Sequence, residues 1–162
     1  MNWLGAGAGR AVGAVGQNGR MAQRMSDDQW RSFVTAGTRT GKLATVRADG
    51  SPHVVPVWFV LDGDDLIFNT GSSSVKGRNL ARDPRAGLSV DEEQPPYAFV
   101  TVRGSVTIID DPVESLPWST RIAARYMGAD RAEEYGRRNA VPGELLVRLR
   151  AEQVVAFAGI AD

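Results

Sequence analysis

The stretch LATVRADGSPHVVPVWF, residues 43–59, decides the fold of this chain. Its β-branched and apolar residues form two runs, which predict one strand over residues 42–47 and a longer strand over residues 53–61. Between them, Ala48, Asp49 and Gly50 form the kind of short Asp-Gly segment that closes a β-hairpin. The hairpin therefore predicts an antiparallel sheet.

Two prolines, Pro52 and Pro56, flank the β-branched residues of the second strand. Because proline has no N–H group, ladder hydrogen bonds are missing at both positions. The neighbouring backbone groups are then free to meet a planar heterocycle edge-on, although an edge strand distorted for structural reasons explains the same residues equally well. Trp58 and Phe59 follow on opposite faces, so one of them is expected in the core.

Short β-rich runs and turns continue to the end of the chain. A helix is predicted to begin at Ser26 and to end at Gly37. Further strands are predicted over residues 66–70, 87–90, 97–109, 144–150 and 154–157, and further helices over residues 75–82, 111–127 and 130–139. Six or seven strands without regular β-α alternation predict a mainly β (α+β) fold, namely a closed antiparallel barrel with a few peripheral helices.

The junction NTGSSSVKGRNLARDPR, residues 69–85, combines a serine-rich turn with a helix start. Ser72, Ser73 and Ser74 offer hydroxyl and N–H groups, and Lys76 adds a positive charge in the first helical turn. Since helix N-termini carry unpaired donors and the positive end of the dipole, this junction is suited to a phosphate. A serine-capped surface helix with solvated arginines at positions 78, 82 and 85 is the competing interpretation.

Composition excludes several classes of function. The 162 residues carry 19 basic and 19 acidic side chains, so no overall field favours nucleic acid or a membrane surface. The chain has no cysteine and a single histidine, His53, so a thiolate site is excluded and a zinc site lacks nitrogen ligands. No apolar run approaches the roughly 20 residues of a membrane span. We therefore expect neither a metal centre nor a nucleic-acid or membrane partner, and a cytoplasmic protein.

The remaining features have plain explanations from the sequence alone. Residues 1–24 are glycine-rich and are expected to form a flexible extension, with one domain over residues 25–162. Tyr97 and Phe99 share a strand face and are suited either to wall a ring-binding cleft or to pack in the core. The pairs Arg121/Arg125 and Arg148/Arg150 are most simply interpreted as solvated faces.

Taken in order, LATVRADGSPHVVPVWF, FNTG, KGRNLARDPR and RGSV resemble the pyridoxamine-phosphate-oxidase-like proteins of the split β-barrel fold. The resemblance extends over about residues 26–158 and is closest to the actinobacterial oxidoreductases that depend on coenzyme F420. It implies a six-stranded antiparallel split barrel and a homodimer with two cofactor sites at the subunit interface. The cofactor would be F420, with FMN as the alternative, and the substrate a small organic acceptor.

The resemblance also implies roles for individual residues. It places Lys76 and the turn of Ser72, Ser73 and Ser74 on the cofactor phosphate. It places the tricyclic ring along the following residues: His53, Val54, Val55, Pro56, Val57 and Trp58, with Thr70 nearby and Tyr97 as an aromatic contact. Many relatives have a basic residue where this chain has Ser74, so phosphate affinity is expected to be lower unless Arg78 compensates. His53 and Tyr97 are candidates for the proton donor, and a non-catalytic cofactor carrier is a further alternative.

Overall fold

The computed structural model describes residues 22–161 as nine strands, four α-helices and a short 3₁₀ turn at Ala129–Arg131. The strands are β1 Gln23–Arg24, β2 Gly41–Val46, β3 Pro52–Val57, β4 Val60–Asp62, β5 Asp65–Gly71, β6 Arg85–Glu92, β7 Ala98–Ile109, β8 Glu144–Leu149 and β9 Gln153–Ala158. The helices are α1 Asp27–Thr35, α2 Val75–Arg82, α3 Pro112–Met127 and α4 Ala132–Arg138.

Every strand pair in the sheet is antiparallel, in the order β3-β2-β6-β7-β8-β5-β4. β7 is long enough to change partners: its first half pairs with β9, and its second half pairs with β8. The sheet curls around one core, because side chains from seven strands belong to the same buried cluster. They include Leu43, Val57, Phe68, Leu88, Val100, Val147 and Ala156. The predicted mainly β split-barrel fold is confirmed.

The predicted closure of the barrel needs a correction. β3 and β4 end the hydrogen-bonded path, and within residues 22–161 no ladder joins them. β4 pairs only with residues 65–67 of β5, so residues 68–71 have no strand partner on the side opposite β8 in the described structure. A seam therefore remains between β3 and the end of β5.

The single strand predicted over residues 53–61 is also wrong, because the chain breaks it into β3 and β4 at Trp58 and Phe59. Phe59 is fully buried, and its backbone N–H donates to the Tyr126 hydroxyl at 3.3 Å instead of to a neighbouring strand. Its carbonyl accepts from Arg125 at 2.8 Å. Helix α3 therefore takes the backbone groups that would have continued the strand.

Gln23 and Arg24, which the sequence analysis assigns to the N-terminal extension, pair with Ala158 and Phe157 in the structure. Residues 1–21 of the expected extension lie outside the described residues. Within the described part of the chain, no helix combines the length and the apolar character that crossing a membrane requires.

Candidate functional site

Helix α2 begins where the sequence predicts a helix start. Ser74 is the N-cap: its hydroxyl accepts from the Gly77 N–H at 3.0 Å and lies 2.9 Å from the Thr70 hydroxyl. The helix presses closely on the preceding turn, since a Cβ at Gly77 would lie 2.3 Å from the Gly71 carbonyl oxygen. The Ser74 hydroxyl is thus engaged in capping, while the N–H groups of Val75 and Lys76 have no acceptor within the helix.

The body of α2 is fixed to the sheet. Asn79 is buried and donates through Nδ2 to the Thr45 hydroxyl at 3.0 Å. The arginines predicted to be solvated are exposed but paired: Arg78 donates to the Ser73 carbonyl, and Arg82 to the Val46 carbonyl. In the described structure Lys76 has no such partner. It is the cation left for a ligand at this helix start.

A cleft of about 350 Å³ opens at the seam between β3 and β5. It brings together five residues of the sequence-predicted site, which are Pro56, Val57, Trp58, Thr70 and Lys76. Its other lining residues are Asn69, Gly71, Ile122, Asn139 and Glu144. The predicted ring wall and the predicted phosphate-binding lysine therefore line one cavity within a single chain.

Trp58 forms the aromatic wall of this cleft. It is 39% exposed, and its indole stacks on the Tyr126 ring with centroids 5.0 Å apart and an angle of 3° between the planes. The Tyr126 hydroxyl donates to the Arg39 carbonyl at 2.8 Å, which holds that ring in place. Burial raises the pKa of the Tyr126 hydroxyl. The stack leaves Trp58 pre-oriented beside the cleft.

The assignment of Arg125 to a solvated face is wrong, because its guanidinium is turned inward onto backbone carbonyls. Its guanidinium donates to the Gly37 carbonyl at 3.0 Å, to the Phe59 carbonyl at 2.8 Å and to the Val34 carbonyl at 2.7 Å. Burial lowers the pKa of Arg125, because desolvation disfavours the charged form. Arg125 therefore ties the end of α1 to the β3–β4 junction that carries Trp58.

The remaining predicted ring contacts lie outside the cleft of one chain. His53 is four residues before Val57, about 13 Å along the strand at 3.3 Å per residue. Its Nδ1 accepts from the Arg47 guanidinium at 3.1 Å. Val54 is 60% exposed on the outer face of the sheet, and its neighbour Val55 does not line the cleft.

Tyr97 and Phe99 also lie elsewhere. Tyr97 precedes β7, is 39% exposed and does not line the cleft. The Phe99 ring contacts the Phe157 ring, with centroids 6.0 Å apart. Ser72 and Ser73 form the turn before α2 without lining the cavity, and Ser72 donates its N–H to the Gly143 carbonyl at 2.8 Å.

Sequence reasoning missed the polar residues on the opposite wall. Asn69 donates through Nδ2 to the Ser119 hydroxyl at 3.0 Å, and its buried Oδ1 has no partner in the described structure. Asn139 ends α4, and Glu144 begins β8 opposite Gly71. The pairing of β5 with β8 brings them here, and no local motif announces that pairing.

A curled antiparallel sheet whose seam holds an aromatic wall and a lysine at a helix start defines a split-barrel protein with a small-ligand cleft. The pyridoxamine 5'-phosphate oxidase family matches residues 26–157, most of the chain, and this protein belongs to that family.

Solved structures give the same result. The conserved hypothetical protein Rv2991 from Mycobacterium tuberculosis is 27% identical, with a TM-score of 0.74 over 83% of this chain and 86% of that chain. A protein described as an F420 reductase is 28% identical, with a TM-score of 0.60 over 76% of this chain and 94% of its own. An FAD-binding protein from Mesorhizobium loti (20% identity, TM-score 0.62, covering 85% and 96%) shows the fold alone. The same holds for matches described as heme proteins, at 23% identity and below.

Proposed function

We propose that this protein is an oxidoreductase that uses reduced coenzyme F420 to transfer hydride to a small organic acceptor. The observation that carries the proposal is the cleft at the seam, where Trp58 and Lys76 line one cavity. The similarity to a protein described as an F420 reductase supports the choice of cofactor.

The residues present suit such a cofactor. A planar ring fits against Trp58, whose plane is fixed by Tyr126, and against the apolar Pro56 and Val57. An anionic group fits at Lys76, where the N-terminus of α2 adds unpaired N–H donors. The cavity volume of about 350 Å³ lies within the range of small-ligand sites.

The chain contributes binding and orientation rather than covalent chemistry. When bound, a reduced deazaflavin supplies the hydride for an activated double bond or a similar electrophile. Trp58 would hold the plane of the ring and Lys76 would hold the phosphate end, so the two residues would orient the cofactor for an acceptor. Full turnover by His53→Ala would remove His53 as the proton donor, and Tyr97→Phe tests the other candidate.

A flavin is the second candidate, because an FAD-binding protein shares the fold. Titrating the ligand-free protein with F420 and with FMN side by side, by fluorescence, decides between them. Tighter binding of F420, followed by oxidation of reduced F420 with an electrophile panel, supports the proposal. Tight binding without hydride transfer to any acceptor would instead indicate a cofactor carrier.

We also propose that the active form is a homodimer. A groove of about 720 Å³ crosses the outer face of the sheet, where the small residues Ala44 and Gly87 permit close approach of a second chain. Val54 is exposed on the same face. A second copy seated there would supply additional walls for the cleft. Sedimentation velocity tests this, and a monomer at micromolar concentration would contradict it.

Lys76 provides the direct test of the phosphate position. Lys76→Ala is expected to weaken binding of the phosphorylated cofactor by about 1–3 kcal/mol, since a hydrogen bond to a charged group is lost. Lys76→Arg is the matched control and should retain most of the affinity. Unchanged affinity of Lys76→Ala in the fluorescence titration would remove Lys76 from the phosphate site.

A further inference from the structure

Glu144 is the acidic side chain of the cleft. It begins β8 and pairs in register with Gly71, the last residue of β5. Its Oε1 lies 3.3 Å from the position that a Cβ would take on Gly71, so the carboxylate lies across that glycine. Because Ser72 donates its N–H to the neighbouring Gly143 carbonyl, the carboxylate also lies beside the serine turn.

This carboxylate is half-buried, and within residues 22–161 no hydrogen bond or ion pair reaches it. Withdrawing a carboxylate from water is unfavourable unless donors replace the lost hydration. An ionised carboxylate can only accept hydrogen bonds. A ligand group that binds Glu144 must therefore bring N–H or O–H donors into the cleft.

Two amides line the same cavity. Asn139 uses its backbone N–H to close α4, whereas its side chain has no hydrogen-bond partner in the described structure. Asn69 lines the cavity too, but its unpartnered Oδ1 is buried and its Nδ2 donates to the Ser119 hydroxyl, so Asn139 is the amide available to a ligand. A hydroxyl group is both a hydrogen-bond donor and an acceptor, so it can donate to a carboxylate and accept from an amide N–H. This wall differs in chemistry from the apolar wall of Pro56 and Val57.

The cavity is small enough for one ligand to touch both walls, because a sphere of 350 Å³ is about 9 Å across. A ligand with its ring on Trp58 and its phosphate on Lys76 must pass its connecting chain between these two residues. In F420 and in FMN that connecting chain carries hydroxyl groups. We infer that Glu144 binds the hydroxyl-bearing chain between the ring and the phosphate of the cofactor, an inference that rests on the proposed function.

Three flavins that differ by one group at a time show which part of the ligand Glu144 contacts. Lumiflavin is the ring with a methyl group, riboflavin adds the hydroxyl chain, and FMN adds the phosphate. Binding of each to the full chain and to Glu144→Ala is measured by fluorescence titration. Glu144→Ala should weaken riboflavin binding about tenfold or more, the effect of losing hydrogen bonds to a charged group, and change lumiflavin binding less than twofold. Equal thermal midpoints of the two proteins confirm that the variant is folded.

The other outcomes overturn the inference. Equal weakening of riboflavin and lumiflavin would show that Glu144 acts on the ring or on the shape of the cleft. Unchanged riboflavin binding together with tighter FMN binding would show that the carboxylate only repels the phosphate. If the protein binds deazaflavins but not flavins, the same titrations are made with a deazaflavin that carries a methyl group, a ribityl chain or a phosphorylated ribityl chain. If the protein binds neither series, the inference and the proposed function are both wrong.

Lys76→Ala keeps the two proposals distinguishable. It should weaken FMN binding and leave riboflavin binding within about twofold, since riboflavin has no phosphate. If that selectivity is observed while Glu144→Ala has no effect on riboflavin, the proposed function stands and the role of Glu144 falls. Glu144→Gln adds a graded control, because the amide keeps a hydrogen-bonding group of similar size without the charge.

Discussion

Removing the Arg125 guanidinium is expected to cost this domain much of its stability. The group donates to three carbonyls within 3.0 Å, on Val34, Gly37 and Phe59. These acceptors belong to the end of α1, the following loop and the β3–β4 junction. Arg125→Met retains much of the aliphatic stem and removes all three bonds, so it isolates the contribution of the charged head.

The expected loss in the free energy of unfolding follows from those contacts. A hydrogen bond to a charged donor contributes roughly 1.5–3 kcal/mol, but the cost of desolvating the guanidinium offsets part of the sum. We expect Arg125→Met to lower the free energy of unfolding by about 3–4 kcal/mol. With an m-value of about 2 kcal/mol/M, the urea midpoint would fall by roughly 1.5–2 M. Arg125→Lys should lose about half as much, because an ammonium group cannot span the three carbonyls.

Arg121→Met is the matched control on the same helix. Arg121 is exposed, makes one bond of 3.3 Å to the Leu61 carbonyl and lies over the Trp118 ring. Its loss should change stability by no more than about 1 kcal/mol. Urea titrations of all variants at the same protein concentration keep the contribution of association comparable between them. A midpoint for Arg125→Met within about 0.3 M of the Arg121→Met midpoint would refute the reasoning.

Two further predictions follow from contacts near α2. Alanine normally stabilises a helix interior by about 1 kcal/mol over glycine. Gly77→Ala should nevertheless destabilise the protein and weaken cofactor binding, because the new Cβ would lie 2.3 Å from the Gly71 carbonyl oxygen. A higher urea midpoint for Gly77→Ala than for the unchanged protein would contradict this prediction. Hydrogen bonds from Arg85 lower the pKa of Asp83 to about 2, below the roughly 3.9 of an unfolded chain. The stability from Asp83 is therefore complete above about pH 4 and is lost as the pH falls through about 2. Asp83→Asn should therefore reduce the slope of the free energy of unfolding against pH between about pH 4 and pH 2. A slope equal to that of the unchanged protein would contradict this prediction.

Local sequence signals predicted the elements that depend on neighbouring residues. Ser74 and Lys76 lie within one helical turn, so their placement at the start of α2 needed no distant contact. The hairpin of β2 and β3 likewise follows from its own turn residues. By contrast, the break at Phe59 depends on Arg125 and Tyr126, which lie 66 and 67 residues further along the chain.

The polar wall of the cleft could not be predicted for the same reason. Glu144 faces Gly71 only because β8 pairs with β5, and a strand register between segments this far apart leaves no local pattern. Arg125 is similar: a helical arginine four residues from Arg121 has the spacing of a solvated face. Only the packing of α1 against the β3–β4 junction shows that its charge is turned inward.

The two prolines explain how a seam can stay open without becoming a site of aggregation. Pro52 and Pro56 are four residues apart in β3, so with a period of two their missing N–H groups fall on the same edge of the strand. β3 pairs with β2 on its other edge, which leaves the proline edge unable to accept a further strand in full register. Strand addition is therefore disfavoured, while a compact ligand that needs only a few contacts can still enter beside Trp58. The residues that disfavour closure of the barrel thus also keep its cleft available to a ligand.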